Sequence, residues 1–362
     1  MNARVLELRG PRQPALADEP LRPTGDGEFL VETLYSGISA GTELTFVKGT
    51  NPALHAGWDP ELGVFDRERP HAGYPLRQLG YMEVGRVVES RAAGVAVGER
   101  VAMAYGHRSH HVADPARERV VALPPDLDPL LGTFVAHMGP ICANGLLHAA
   151  AEAAGSDASS LADGVVERNV VVTGAGVVGL LVALFAAHHG AAEVAVVDGT
   201  PERLEAAAAL GLTPLDERAQ PWRWVKTRWR HGPRDRGADV VFQCRGRDRA
   251  LAEALRCCRP QTAVIDLAFY PDGAPELRLG EEFHHNGLAI RCAQIGRVPR
   301  GLADRWDRDR LSHETIALLR ARGVDVRRAL ISDVVAFEHA PLLLLDLAAH
   351  RRHTIQAVLD FS

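Results

Sequence analysis

The residues whose types and spacing point most directly to chemistry are three glycines, Gly174, Gly176 and Gly179, which follow the apolar run 169–173. A Gly-x-Gly-x-x-Gly turn between a predicted strand and a predicted helix is typical of dinucleotide binding. The first glycine permits a tight turn, the second lets the backbone approach a pyrophosphate, and the third lets the helix pack closely against the strand. We therefore predict a dinucleotide site at this turn.

The segments around this turn supply further candidate cofactor contacts. The predicted helix starts at Val177 and Val178, where unpaired N–H groups and the positive end of the helix dipole would face phosphates. Asp198 ends the next predicted strand, where an acid can accept hydrogen bonds from both hydroxyls of the adenosine ribose. Because Asp198 would repel a 2′-phosphate, it favours NAD over NADP. Arg203, in the following predicted helix, either contacts the same ribose or phosphates or is a solvated surface residue.

Two later strands should end at the same cofactor site, because ligands bind outside the carboxyl ends of parallel strands. One of them leads to Cys244, which we interpret as a small residue of the site wall rather than a reactive nucleophile. The other leads to Ala268 and Phe269.

The chain is long enough for more than one domain, since its 362 residues exceed the average size of a single domain. Residues 1–145 contain many short β-like runs and turn signals, which predict a small, partly open β-barrel. Residues 146–298 alternate strands and helices, which predicts a doubly wound parallel sheet, and residues 299–362 return to a mixed pattern. We therefore expect an α/β protein with a dinucleotide-binding domain inserted into a barrel-like domain. Residues 50–79 predict a long loop, either at the substrate or as a solvated insertion.

Composition and charge narrow the class of protein further. The 41 basic and 46 acidic side chains give a net charge of −5, which argues against strong binding to nucleic acid or to anionic membranes. The longest apolar stretch, 177–187, is too short to cross a bilayer. Five cysteines without a CxxC spacing argue against a disulfide framework, and we expect a cytoplasmic protein.

Four segments carry a resemblance to a known family: 36–43 (Ser-Gly-Ile-Ser-Ala-Gly-Thr-Glu), 80–85 (Gly-Tyr-Met-Glu-Val-Gly), 98–101 (Gly-Glu-Arg-Val), and the glycine turn with Asp198. In this order they resemble the medium-chain dehydrogenase/reductase superfamily of alcohol, sorbitol and threonine dehydrogenases. The first segment is similar to the branch near bacteriochlorophyllide dehydrogenases. The resemblance covers nearly the whole chain and implies a GroES-like catalytic domain, a Rossmann cofactor domain and an NAD-linked dehydrogenase activity.

The chain departs from this family at the catalytic zinc site. Zinc-dependent members have Cys, His and a Cys or acid at three positions that correspond here to Ala40, Tyr81 and Gly139. Alanine and glycine offer no side-chain ligand and tyrosine is a poor one, whereas zinc needs several N, S or O ligands. The four cysteines of the family's structural zinc lobe are also missing from the sequence. We therefore expect no bound metal.

Without zinc, the resemblance leaves acid–base chemistry to other groups. Thr42 matches the hydroxyl that relays the alcohol proton in the family. Tyr81 replaces a metal ligand, and it either exchanges the proton with the substrate or only fills the space of the zinc. His107, in the histidine-rich segment 107–111, is a further candidate for this proton. A metal pair of His107 and His111 is the less favoured alternative, since no third ligand completes it locally.

The leading hypothesis is a zinc-independent, NAD-linked oxidoreductase that transfers hydride between nicotinamide and a polar secondary alcohol or ketone, such as an intermediate of specialised metabolism. Three alternatives stay open: an enoyl-type reductase, a redox-neutral lyase or epimerase that recycles bound NAD, and a non-catalytic NAD-binding protein. We also expect a homodimer joined through the last strand of the parallel sheet, 288–295, because an exposed apolar edge strand would invite uncontrolled association.

Overall fold

The computed structural model describes residues 1–270 and 273–362. The chain forms two compact units. Unit 1 consists of Met1–His137 together with Ile331–Ser362, and unit 2 consists of Met138–Leu330. Within the described ranges, no helix is both long enough and apolar enough to cross a membrane.

Short strands dominate the first part of unit 1, whereas strands alternate with helices in unit 2. The first part of unit 1 contains β1 (Asn2–Leu8), β2 (Pro14–Pro20), β3 (Phe29–Gly37), α1 (Ala40–Lys48), β4 (Gly57–Asp59), β5 (Val64–Asp66), β6 (Glu83–Ser90), β7 (Arg100–Met103), β8 (His110–Ala113), β9 (Val121–Ala122) and α2 (Pro129–Gly132). Unit 2 contains α3 (Met138–Ala154), β10 (Asn169–Thr173), α4 (Val177–His188), β11 (Glu193–Asp198), α5 (Pro201–Ala209), β12 (Thr213–Asp216), α6 (Pro221–Arg228), β13 (Arg230–Gly232), β14 (Asp235–Arg236), β15 (Val240–Gln243), α7 (Asp248–Cys257), β16 (Ala263–Asp266), α8 (Glu282–His285), β17 (Ala289–Cys292) and α9 (Arg308–Ala329). The chain returns to unit 1 with β18 (Ile331–Ala336), α10 (Ala340–Ala348) and β19 (Gln356–Asp360).

Unit 1 is built around a mainly antiparallel sheet with the strand order β18-β19-β3-β6-β7-β9, in which β8 also pairs with β3. The sequence of β3, FLVETLYSG, alternates buried and half-buried residues in its first part, as expected for a strand with one face toward a core. Phe29 and Val31 of this strand pack with Val87, Val101 and Met103 of β6 and β7. This architecture confirms the predicted barrel-like domain.

Unit 2 contains a parallel sheet with the strand order β12-β11-β10-β15-β16-β17. The central strand β10 reads NVVVT and is almost wholly buried, which is typical of a parallel strand covered by helices on both faces. Helix α4 is apolar along most of its length because α3 packs on it in addition to the strands. This strand order is that of the doubly wound Rossmann fold, which confirms the predicted α/β class.

The boundaries of the inserted unit differ from the predicted 146 and 298. Helix α3 packs against α4 and β16, and α9 packs against α3, so both helices belong to unit 2. A helix belongs to the unit whose core buries its apolar face, and sequence spacing does not show which core that is. The inserted unit therefore extends from Met138 to Leu330.

Two further expectations require correction. The segment 50–79 is not a plain loop, because it contains a short 3-10 helix, Pro52–Leu54, and the hairpin β4–β5. Trp58 and Phe65 face each other on this hairpin with ring centroids 5.2 Å apart. The last parallel strand is Ala289–Cys292, shorter than the predicted 288–295, because its neighbour β16 ends at the residue that pairs with Cys292.

Candidate functional site

The glycine turn between β10 and α4 has the geometry that its residue types require. Gly174 has a φ of +98°, which L side chains rarely adopt. A Cβ on Gly179 would lie 1.7 Å from the carbonyl oxygen of Gly174, so only glycine lets α4 approach the turn. Gly176 is the N-cap of α4, and no atom of the described residues lies within 4 Å of the place a Cβ would take. The turn leaves room for a phosphate beside the N–H groups of Val177 and Val178.

Asp198, at the end of β11, is tied to this turn. Its side chain is nearly fully buried, with Oδ2 accepting from the Ala175 N–H at 2.8 Å and Oδ1 accepting from the Thr200 N–H at 2.9 Å. Arg203 lies in α5 with a guanidinium nitrogen 3.9 Å from Asp198 Oδ2. The structure therefore brings Asp198 and Arg203 together next to the glycine turn.

The other sequence-predicted cofactor residues lie after β15 and β16. The Cys244 N–H donates to the Thr173 carbonyl, and burial raises the pKa of the Cys244 thiol well above its ordinary value, which supports a wall residue rather than a nucleophile. The Ala268 N–H donates to Asp266 at 2.9 Å, while Phe269 is about half exposed, at 48%.

A polar network at the same strand ends escaped the sequence analysis. Thr173 donates to Gln243, the Gln243 amide donates to the Tyr270 hydroxyl at 3.1 Å, and Tyr270 contacts Asp266 at 3.0 Å. Burial raises the pKa of Asp266. Polar residues at the ends of consecutive apolar strands are the signal that could have revealed this network.

A cavity of about 420 Å³ opens beside the glycine turn in unit 2. Its lining includes the strand-end residues Thr173, Gly174 and Val197 and the arginines Arg218, Arg245 and Arg247. Arg245 forms an ion pair with Glu217. The cavity lies at the carboxyl ends of the parallel strands, where ligands bind in this fold. Five arginines and two glutamates line it, an excess of basic side chains that sequence analysis overlooked.

Tyr81 lies in a cluster of hydroxyl groups in unit 1. Its hydroxyl makes a very short hydrogen bond with Ser39 Oγ and a longer one, of 3.5 Å, with Thr42 Oγ1. Its ring meets the edge of His137 at a centroid distance of 4.6 Å. Burial raises the pKa of Tyr81 and outweighs the lowering by its hydrogen bonds with Ser39 and Thr42. Tyr81 and Thr42 are thus brought together, and Ser39 is a partner that sequence analysis missed.

His107 is fully buried in a set of polar side chains that we call the buried cluster: Ser36, Glu43, Glu83 and His107. Its Nε2 lies 2.8 Å from Glu43 Oε2, and its Nδ1 lies 2.6 Å from Ser36 Oγ, which donates to Glu83 Oε1 at 2.8 Å. Burial lowers the pKa of His107, but the charges of Glu43 and Glu83 outweigh it and raise that pKa overall. Burial also raises the pKa of Glu83.

The histidine-rich segment 107–111 is not one continuous strand. His107 precedes β8, which begins at His110, because a left-handed Gly106 and a bend interrupt the extended chain. His111 binds Glu118 at 2.6 Å and stacks on Tyr105, so His107 and His111 have separate partners. Among the described residues, no group of three His, Cys, Asp or Glu side chains is arranged to hold a metal ion.

The side chains at the family's zinc positions do not fit that metal. Ala40 and Gly139 carry no donor atom, and the Tyr81 hydroxyl is already paired with Ser39. The carboxylate of Glu43 and the imidazole of His107 bind each other. We therefore derive no step through zinc.

Comparison with known proteins shows that the chain is similar to dehydrogenases. Residues 177–303 match the model of the zinc-binding dehydrogenase family. D-guloside 3-dehydrogenase of Escherichia coli (strain K12) is 26% identical over 348 residues, covering 93% of each chain. The 2-desacetyl-2-hydroxyethyl bacteriochlorophyllide A dehydrogenase of Cereibacter sphaeroides is 34% identical over 102 residues, which are 28% of this chain and 27% of that protein. A dehydrogenase of Sinorhizobium meliloti 1021, solved with NADP bound, shares the fold with a TM-score of 0.74 at 18% identity over 99% of each chain.

These matches support the medium-chain dehydrogenase/reductase superfamily, as the sequence motifs predict, and they support a dehydrogenase of the medium-chain type.

Proposed function

We propose that this protein is an NAD-linked dehydrogenase that oxidises a secondary hydroxyl of a small, polar, sugar-like substrate, or reduces the corresponding ketone, without a catalytic zinc ion. One observation carries the proposal: the residue at a zinc-ligand position of the family, Tyr81, is a phenol with its own hydroxyl partners, Ser39 and Thr42. The name of the Escherichia coli relative, D-guloside 3-dehydrogenase, supports a secondary sugar hydroxyl as the reacting group.

The residues of unit 2 fit a dinucleotide. The space beside Gly176 accepts a pyrophosphate, and the first N–H groups of α4, at Val177 and Val178, bind its oxygens. Asp198 accepts a hydrogen bond from the Ala175 N–H of the turn and would accept further hydrogen bonds from the ribose hydroxyls. The Arg203 guanidinium lies 3.9 Å from the Asp198 carboxylate. The bound nicotinamide supplies the hydride acceptor or donor. Cys244, Ala268 and Phe269 border the same strand ends.

Asp198 also supports the choice of NAD. A 2′-phosphate on the ribose would bring two negative charges close to a carboxylate that is almost wholly removed from solvent. The arginines of the adjacent cavity act in the opposite sense, because they attract phosphate. A direct comparison of the two cofactors therefore decides which charge dominates.

Tyr81 exchanges the proton with the substrate in this proposal. In the reductive direction the Tyr81 O–H bond breaks as an O–H bond forms on the carbonyl oxygen, which leaves a phenolate. Hydrogen bonds from Ser39 and Thr42 stabilise this phenolate. In the oxidative direction the phenol first releases its proton to solvent, and the resulting phenolate then accepts the proton of the substrate hydroxyl. His107 does not contact solvent and acts through its neighbours.

The test is a substrate panel of glycosides, polyols and simple secondary alcohols, assayed with NAD and with NADP before and after dialysis against a chelator. We expect reduced nicotinamide to form with a sugar-like alcohol, faster with NAD, and chelation to leave the rate unchanged. Elemental analysis should find far less than one zinc per chain. Stoichiometric zinc together with loss of activity on chelation would overturn the zinc-independent mechanism.

The same assay separates the alternatives. Product formation without a net change in nicotinamide absorbance would indicate a redox-neutral lyase or epimerase. Oxidation of NADPH by an α,β-unsaturated ketone, with no alcohol oxidised, would indicate an enoyl-type reductase. Cofactor binding in calorimetry without turnover of any compound would indicate a non-catalytic protein.

A further inference from the structure

The Ser39 side chain forms a hydrogen bond with Tyr81 instead of capping the helix that it precedes. It occupies the N-cap position of α1, where a serine hydroxyl ordinarily accepts a hydrogen bond from an N–H of the first turn. The Ser39 side chain makes no such bond, and its Oγ pairs with the Tyr81 hydroxyl instead. This contact is much shorter than the 3.5 Å between Tyr81 and Thr42.

Glu43 connects Ser39 to the buried cluster. One Glu43 oxygen accepts from the Ser39 N–H at 2.7 Å, and the other lies 2.8 Å from His107 Nε2. Glu43 is almost fully buried, so water does not replace either partner. The position of Ser39 therefore depends on a carboxylate that His107 orients.

His107 also packs directly against the chain that precedes Tyr81. Gly80 has a φ of +100°, and a Cβ there would lie 2.6 Å from His107 Cε1, so the imidazole occupies the space of the missing side chain. The backbone N–H of His107 donates to the Leu79 carbonyl at 2.8 Å. One buried side chain thus contacts both segments that carry the Tyr81–Ser39 pair.

With Glu43 and Glu83 ionised, the hydrogen-bond pattern assigns a hydrogen to each ring nitrogen of His107 and therefore a positive charge. The single hydroxyl hydrogen of Ser36 goes to Glu83, so the Ser36 oxygen accepts from His107 Nδ1. A carboxylate only accepts, so Nε2 facing Glu43 also carries a hydrogen. Glu43 on α1 and Glu83 on β6 are the carboxylates that face the imidazole, and Glu83 is fixed in turn by the Tyr105 N–H.

We propose that His107 is a positioning residue: as an imidazolium between Glu43 and Glu83, it holds Ser39 where its hydroxyl donates to the Tyr81 oxygen that exchanges the proton. This inference rests on the proposed function only for its kinetic consequence. The positioning of Tyr81 is a property of the resting protein.

The experiment compares His107→Gln with His110→Gln in the full-length protein. His110, three residues further on, is only partly buried and its ring contacts Ser109, so it is a matched control outside the buried cluster. Ser36→Ala is a milder second variant, which removes only the hydroxyl between His107 and Glu83 in case His107→Gln does not fold. The measurements are kcat and KM, and nuclear magnetic resonance of isotope-labelled tyrosine and histidine, with the Tyr81 signal assigned by its loss in Tyr81→Phe.

In the unaltered protein we expect a His107 ring that is doubly protonated at neutral pH. In His107→Gln the Tyr81 signal should shift or broaden, kcat should fall on the order of 10- to 100-fold, and KM and cofactor affinity should change little. Ser36→Ala should act in the same direction, and His110→Gln should change none of these. A neutral His107 ring, or an unchanged Tyr81 signal in folded His107→Gln or Ser36→Ala protein, would refute the inference. If the unaltered protein oxidises no alcohol, the proposed function fails, while the two resonance measurements still decide the role of His107.

Discussion

The hydroxyl of Tyr81 lies in surroundings unlike those of a solvent-exposed tyrosine. Burial raises its pKa, and two hydroxyl side chains, Ser39 and Thr42, face its oxygen. Such an arrangement keeps the phenol protonated in the resting protein and offers hydrogen bonds to the phenolate that forms after proton transfer. The sequence singles out Tyr81 because it occupies a zinc-ligand position of the family, whereas only the structure shows its hydrogen-bond partners.

We expect Tyr81→Phe to lower turnover by about 100- to 10,000-fold, the usual contribution of a positioned acid–base group. The ring and its edge contact with His137 are retained, so folding and cofactor affinity should change little. Tyr74→Phe is the matched control, because it removes a hydroxyl that only donates to the Phe46 carbonyl. If Tyr81→Phe retains near-full turnover, the tyrosine only fills space in the site and the proton comes from Thr42 or water.

The charge of His107 predicts how stability depends on pH. Above about pH 6.5 the unfolded chain has lost the His107 proton, whereas the native protein retains it because its pKa is raised. The unfolded state then binds fewer protons, so the free energy of unfolding falls as the pH rises, by up to about 1.4 kcal/mol per pH unit for this group. Glu83, whose pKa burial raises, adds a slope of the same sign from about pH 4.5 upward.

Denaturant unfolding between about pH 7.5 and 8 measures this slope. Burial lowers the pKa values of His110, His148 and His189, so these groups add a slope of opposite sign that has nearly vanished by about pH 7.5, where their unfolded imidazoles are already neutral. We expect the slope to be smaller in His107→Gln and unchanged in His110→Gln. Equal slopes in all three proteins would show that His107 is neutral in the native state.

The turn between β10 and α4 shows how an element depends on two glycines for different reasons. At Gly179 the neighbouring Gly174 carbonyl fills the place of a Cβ, whereas at Gly176 that place is open. The first glycine is required for the fold of the element, and the second is required for a ligand.

Alanine substitutions distinguish these two reasons. Gly179→Ala should destabilise the protein by at least about 1–3 kcal/mol, the usual cost of overpacking. The Gly174 carbonyl oxygen that the new methyl group would meet belongs to the backbone and cannot move aside as a flexible side chain does. Gly176→Ala should leave the stability of the cofactor-free protein nearly unchanged and weaken dinucleotide binding, since its methyl group enters the space for the pyrophosphate. Denaturant unfolding and calorimetric titration measure the two effects. Equal loss of stability in both variants would contradict this division.

At the scale of the whole molecule, β17 is the end strand of the parallel sheet in the described part of the chain. The N–H groups of Ala289 and Ala293 donate to the carbonyls of Thr262 and Asp266, so by alternation the N–H groups of residues 290 and 292 point to the free edge. Such an edge pairs readily with another strand. The predicted homodimer through this edge remains a prediction.

A proline tests this interface because it removes one backbone donor. Cys292→Pro deletes an N–H on the free edge and should convert the dimer to a monomer in sedimentation while the fold is retained. Cys292→Ala is the control, because it removes the exposed thiol and keeps the N–H. A monomeric unaltered protein at working concentration, or a Cys292→Pro variant that is still dimeric, would defeat the prediction.

The sequence by itself determined the features that depend on neighbouring residues. The glycine turn, the buried strand before it, the apolar helix after it and the acid that ends β11 are local patterns, because glycine geometry and strand periodicity are expressed within a few residues. The strand order of unit 2 follows from such units, since their connections obey few topological rules. The loss of zinc ligands at Ala40 and Tyr81 is likewise a matter of residue type.

Only the tertiary structure decided how unit 1 arranges its polar groups. His107 lies 64 positions from Glu43 and 71 from Ser36, and no local pattern indicates that they meet in one buried cluster. In the sequence His107 is one member of the histidine-rich segment 107–111, whereas in the structure its imidazole packs against Gly80. The unit boundaries were decided in the same way, because α3 and α9 belong to whichever core buries their apolar faces. Burial and long-range pairing are set by the packing of the whole chain, and therefore they become visible only when it is folded.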